Sequence, residues 1–353
     1  MKYGIVVVGP PGSGKSTCTA ALGQLYGALN RKHVLVNLDP AAEHVSYTPD
    51  IDVRDLVDLA TMAEVLRLGP NGALLCAMQY VLANLDWLVV RLNRHLQSGT
   101  TVVIDFPGQG ELWTHDETAQ RLLARLQKEC EIRMCAVHLV DAVYCADPGA
   151  FLAVCMCSLG CMMRLELPHI NVLSKCDLLP QHKWSFDFDP GFYASGQGLE
   201  NLVTKMPRKT AADMRKKKLA ATMVEVLADY SLVSFAMLGV ENKKSMLALV
   251  RHVDKALGFS YGNLDFKLGD IEVDESDFEF AANGAECLEG AVAPQEKEHG
   301  LAEPDNHERR SAAACLAATC SNPQHDRDHD RDRDGRSKQS LPLLPRDPMR
   351  EVD

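Results

Sequence analysis

Gly9-Pro10-Pro11-Gly12-Ser13-Gly14-Lys15-Ser16 follows an apolar, β-branched run over residues 3–8 and leads into a helix-like segment. The octet fits G-x-x-x-x-G-K-[ST], a pattern whose glycines let backbone N–H groups converge on phosphate while the next helix turns its positive end to the same anion. Gly12, Ser13, Gly14, Lys15, Ser16 and the adjoining Thr17 are therefore the expected phosphate-binding set. The Lys15 ammonium would meet the β and γ phosphates, and the Ser16 hydroxyl would ligate magnesium. A glycine-rich turn without nucleotide is the competing reading, and the strand and helix on either side argue against it.

Outward from that loop, strand-like runs at residues 33–38, 101–104, 134–140, 169–173 and 232–237 alternate with longer helix-like segments. The alternation predicts an α/β fold with a mostly parallel, doubly wound sheet, and in such sheets the ligand lies beyond the carboxyl ends of the strands. The run at 101–104 ends in Asp105-Phe106-Pro107-Gly108-Gln109-Gly110-Glu111, a D-x-x-G arrangement. Asp105 there would hold magnesium, Gly108 would offer its N–H to a γ-phosphate, and the Gln109 amide can orient water by donating and accepting together. A simple strand-to-turn role for the same residues is the plainer alternative.

The run at 169–173 leads into Ser174-Lys175-Cys176-Asp177, close to the N-K-x-D pattern that reads guanine. An ionised Asp177 can accept from both N1–H and the exocyclic amine of guanine, whereas adenine would leave it badly paired, a mismatch worth about 10⁴ in discrimination. Lys175 would lie along the base plane, and Ser174 stands where the pattern has Asn. Ser234 in Ser234-Phe235-Ala236 resembles a loop that closes over the base. Asp39, at the end of the run at 33–38, could polarise water near the γ-phosphate or cap a helix.

With 353 residues and 46% hydrophobic content, the chain can bury a substantial core. Its net charge of −11 is confined to residues 270–353, which hold 21 acidic and 10 basic residues. Residues 1–269 are thus electrically balanced, which argues against direct nucleic-acid binding, because phosphate-tracking surfaces need clustered positive charge. Residues 270–353 are acidic, then low in complexity, and are read as a disordered tail. Arg208, Lys209 and the basic residues 215–218 are read as a solvated helix face, with an importin-type or acidic-partner patch as the alternative. The apolar stretch at 150–163 falls short of the roughly 20 residues that span a bilayer, so no membrane partner is expected. The chain opens almost directly into its first strand-like run, which predicts a cytoplasmic location. The 12 cysteines are scattered through apolar segments rather than framing short loops, so reduced, buried thiols are expected.

Taken in order, these blocks resemble the GPN-loop GTPases, dimer-forming P-loop NTPases of the SIMIBI class. The distinguishing mark is Gly69-Pro70-Asn71, set in an insertion at residues 49–96 between Asn37-Leu38-Asp39-Pro40-Ala41 and the Asp105 block. The similarity runs from about residue 4 to 259, and the sequences around His138, Glu166 and Asp229 match one eukaryotic branch of the family. The resemblance implies GTP as substrate with magnesium, and a homodimer or a heterodimer with a paralogue. In it Gly69, Pro70 and Asn71 reach into the partner's site, while Asp39, Gln109 and Glu111 position water. It also implies a part in assembly or nuclear import of RNA polymerase II and related polymerases, hence contact with polymerase subunits or assembly factors and passage from cytoplasm to nucleus. Gly110 stands where the family often has Val, and residues 181–210 match poorly. The alternatives are a nucleotide-gated assembly chaperone with negligible turnover, and an ATPase or polynucleotide kinase of related fold.

Overall fold

The computed structural model describes residues 1–178 and 187–259. The tail expected over residues 270–353, and residues 181–186 of the poorly matching segment, lie outside the described residues. Strands β1 (Lys2–Val8), β2 (His33–Asn37), β3 (Ile51–Asp52), β4 (Thr101–Asp105), β5 (Ile132–Asp141), β6 (His169–Ser174) and β7 (Phe235–Met237) form one sheet. Its order is β3-β2-β4-β1-β5-β6-β7, and every pairing is parallel. β1 is central and covered on both faces, which is why its sequence is a continuous apolar run rather than an alternation.

Alternate residues of the strands build two cores. Ile5, Val7, Val103, Cys135 and Val137 pack with Cys18 and Leu22 of α1 (Lys15–Ala28) and with Leu249 and Val253 of α11 (Lys243–Leu257). On the other face Val6, Val8, Val36 and Ile104 meet the insertion's helices α3 (Pro70–Ala83) and α4 (Leu85–His95), together with α6 (Thr118–Cys130). The insertion is thus part of the core: Ala77, Met78, Val81, Leu88 and Leu92 are fully buried. Its tip, where α2 (Leu59–Leu66) turns into α3, is exposed. β3 was not anticipated, because two residues are too short to show a pattern.

Helix α7 (Pro148–Leu165) is long and apolar enough by composition to cross a membrane. Here it lies against β5, β6 and β7, with Phe151, Leu152, Cys155, Leu159 and Cys161 buried. The basic stretch begins α10 (Ala211–Tyr230), whose N-terminus is closed by a reciprocal capping box between Thr210 and Asp213. Arg215, Lys216 and Lys218 are exposed.

Besides its apolar packing, the chain's last described helix is tied to the sheet through Arg31. Arg31 Nη1 donates to both Asp254 oxygens at 2.7 and 2.9 Å, and Nε donates to Thr101 Oγ1 at 2.9 Å. The guanidinium lies 3.8 Å from the Phe259 ring centroid and 4.7 Å from that of Tyr26. Burial pushes the Asp254 carboxyl up to about 6 against the opposing pull of Arg31. Asp254→Ala leaves that guanidinium buried without its carboxylate and is expected to cost ~3–5 kcal/mol in urea or thermal melts. A loss below ~1 kcal/mol would show that the pair does not hold α11 in place.

Candidate nucleotide site

β1 ends at Val8, and the loop that follows meets α1 at Gly14, an N-cap in the left-handed region (φ 91) with no side-chain cap. The first N–H groups of α1 therefore stay available to an anion. Gly9, at φ 145, is confined by Leu139 O, which a Cβ would approach to 2.2 Å. Lys15 is buried, and its Nζ donates to Pro10 O at 3.1 Å. Burial lowers the Lys15 ammonium from its usual range, with Asp105 and Asp39 both pulling it back up.

Asp105, 1% exposed at the end of β4, is brought beside this loop by the pairing of Val7 with Asp105. Its Oδ2 accepts from the Tyr47 hydroxyl at 3.1 Å, whereas Oδ1 is buried without a hydrogen-bond partner. Burial raises the Asp105 carboxyl against the pull of Ser16, Lys15 and Tyr47. A carboxylate oxygen without a partner, next to a serine hydroxyl, is the hard-oxygen donor set that magnesium takes, so the residues fit that ion. Gly108 lies so close that a Cβ would stand 2.8 Å from Lys15 Nζ and 3.1 Å from Pro11. Gln109 follows with its Oε1 buried and without a partner, and Glu111 opens the short helix α5 (Glu111–Thr114).

Asp39 accepts from Ala41 N–H at 2.9 Å, so it closes a turn, and no helix follows for it to cap. Burial raises its carboxyl, opposed by Ala41 N–H, Lys15 and Arg54. Lys15 thus feels two carboxylates, one from β4 and one from the end of β2. Gly69, Pro70 and Asn71 are exposed at the α2–α3 tip, where Gly69 is the N-cap and Pro70 the first residue of α3. Beside them Val65 and Leu66 are 73% and 44% exposed.

At the base end, the Ser174 hydroxyl lies 2.8 Å from Ser13 O and 3.0 Å from Val140 O, sharing its proton between them. A serine can therefore strap the β6 end to the phosphate loop where the familiar pattern has asparagine. Lys175, in the left-handed region at φ 61, places Nζ 2.6 Å from Asp141 Oδ2. Asp177 is backed by Gly239, whose absent Cβ would stand 3.2 Å from Asp177 Oδ1, and Cys176 N–H donates to Leu238 O at 3.1 Å.

Those contacts correct the expectation for Ser234. Residues 238–240, leaving β7, close over Asp177; Ser234 precedes β7, and its carbonyl accepts from Asn171 Nδ2 at 3.3 Å. Ser234 lines a cavity of about 370 Å³ with His169 and His252 at the opposite end of the sheet. The motif match fell one strand length early because β7 has only three residues. Gly239 carries the signal that would have found the right loop, a glycine directly after the last strand's apolar run.

A family described as "Conserved hypothetical ATP binding protein" matches residues 7–259. GPN-loop GTPase 2 of Danio rerio is 44% identical over 269 residues, spanning 75% of this chain and 84% of that protein. The chain belongs to the GPN-loop GTPase family. Its relatives also include GPN-loop GTPase 2 of Schizosaccharomyces pombe, 36% identical over 84% of this chain and 91% of that protein. A Pyrococcus abyssi GTPase solved in its apo form has a TM-score of 0.56 and 25% identity, covering 73% of this chain and 98% of that one. The family description names ATP while the relatives of this GPN-loop GTPase are named GTPases.

Ser174→Ala removes a shared hydrogen bond and frees the β6 end from the phosphate loop. A net loss of ~1 kcal/mol is expected, so the dissociation constant for a fluorescent guanine nucleotide should rise about fivefold. Unchanged affinity would show that the strap is dispensable.

Proposed function

We propose that this GPN-loop GTPase hydrolyses GTP with magnesium at a site completed by a second protomer, either a copy of itself or a paralogue. The reading rests chiefly on one observation: Lys15, Asp105, Gly108 and Gln109 converge at the end of β1, while Gly69-Pro70-Asn71 stands exposed and apart. The exposed Val65, Leu66 and Leu68 around that tripeptide are apolar surface suited to a protomer contact.

In this reading Lys15 and the first N–H groups of α1 hold the β and γ phosphates, and Gly108 N–H meets the γ-phosphate. Ser16 and Asp105 would hold magnesium, which would supply positive charge to offset that of the phosphates. Gln109 orients the attacking water, Asp39 and Glu111 polarise it, and Asp177 with the Lys175 stem selects guanine. Asn71 of the second protomer supplies an amide dipole where another GTPase would use an arginine. The cycle would serve assembly or nuclear import of RNA polymerase II and related polymerases, from a cytoplasmic protein with access to the nucleus. Exposure of the GPN tip and of α10 also favours a nucleotide-gated chaperone role for the same cycle.

The test is complementation. Asn71→Ala and Gln109→Leu should each lower kcat by roughly 10²-fold alone. Mixed in equal amounts, they should recover activity, because one site of each mixed dimer regains both groups. A mixture no faster than either variant would show that Asn71 does not act across a dimer.

A further inference from the structure

The segment after Asp39 carries no motif, yet it is tied down along its length. Asn37 Oδ1 accepts from Asp39 N–H at 3.1 Å, and Asn37 Nδ2 donates to Asp52 Oδ1 at 3.1 Å. Asp52 pairs with Arg54 at 2.6 Å, and Arg54 Nη1 donates to the carbonyls of Ala42 and Glu43 at 2.8 and 3.3 Å. The far end is fixed by Asp50, whose Oδ2 accepts from Leu35 N–H at 2.8 Å and whose N–H donates to Leu35 O at 2.8 Å.

Between these anchors, two successive residues grip the two halves of the site read as a magnesium shelf. Ser46 Oγ donates to Ser16 O at 3.1 Å, and Tyr47 Oη donates to Asp105 Oδ2 at 3.1 Å. The Tyr47 ring packs against the core between α1 and the sheet, so its hydroxyl is held from behind. The bond takes one carboxylate oxygen and leaves the other, Oδ1, buried without a hydrogen-bond partner. A carboxylate held in this way has less rotational freedom to lose when its second oxygen meets a cation, and outer partners of this kind commonly change metal affinity 10–100-fold.

We infer that Tyr47 is a positioning residue for magnesium: it forms a clasp that aims Asp105 Oδ1 at the ion, while Ser46 holds the Ser16 main chain beside it. The inference rests on the proposed GTP and magnesium site. It is tested with the full chain, freed of nucleotide, by following release of a fluorescent GDP analogue as magnesium is titrated in.

Tyr47→Phe keeps the ring and removes only the hydroxyl. It is expected to leave analogue binding in EDTA unchanged and to raise the magnesium concentration for half-maximal slowing of release by about tenfold. Ser46→Ala should move the midpoint in the same direction. In an Asp105→Asn background, Tyr47→Phe should add no further shift. A wild-type midpoint in Tyr47→Phe, or an undiminished shift in the Asp105→Asn background, would overturn the clasp while leaving the nucleotide reading intact. A wild-type chain that releases the analogue at one rate whatever the magnesium concentration would overturn the metal reading itself.

Discussion

The register of β1 against its neighbours is the constraint on which the rest depends. Val7 lies opposite Asp105 on one side and Val8 opposite His138 on the other, so β4 ends level with the start of the phosphate loop and β5 runs on past it to Asp141. A parallel sheet with one central buried strand brings all its carboxyl ends to one edge, and this edge receives residues from β1, β2, β4, β5, β6 and β7. A slip of one residue would turn every side chain to the other face, carrying Asp105 away from Lys15. The two cores resist such a slip because both faces of β1 are buried.

Charge organises what the register assembles. Lys15 is buried and its protonated form is favoured by Asp105 and Asp39, while each carboxylate is in turn disfavoured by burial. None of the three is comfortable alone, and their mutual attraction only partly offsets the loss of water. Such a cluster suits a site that must accept a polyanion and a dication together, since each new charge finds a partner already aimed at it. The base end works differently: Ser174 and the Lys175–Asp141 pair are struts that fix backbone, and Asp177 stands beside a glycine that leaves it room.

Much of this was legible in the sequence where chemistry is contiguous. The phosphate loop, Asp105 through Gln109, and Ser174 through Asp177 are short blocks whose meaning lies in their own spacing, and the chain positions them at strand ends as the alternation implied. What could not be read was contact between distant segments. Tyr47 meets Asp105 across 58 positions, and Lys175 meets Asp141 across 34. The Ser234 assignment failed for a related reason: a three-residue strand gives no periodicity by which to tell its entrance from its exit. The insertion was visible as helical but not as core, since burial of α3 and α4 depends on the sheet face they cover.

The most direct measurement of the central claim is equilibrium titration of the purified chain with fluorescent GTP and ATP analogues in magnesium, alongside Asp177→Ala. The account predicts strong preference for the guanine analogue in the wild type, by a factor of up to about 10⁴, and its collapse in Asp177→Ala. Equal or tighter binding of the ATP analogue, unaffected by Asp177→Ala, would contradict it and place the chain with adenine-nucleotide enzymes of the same fold.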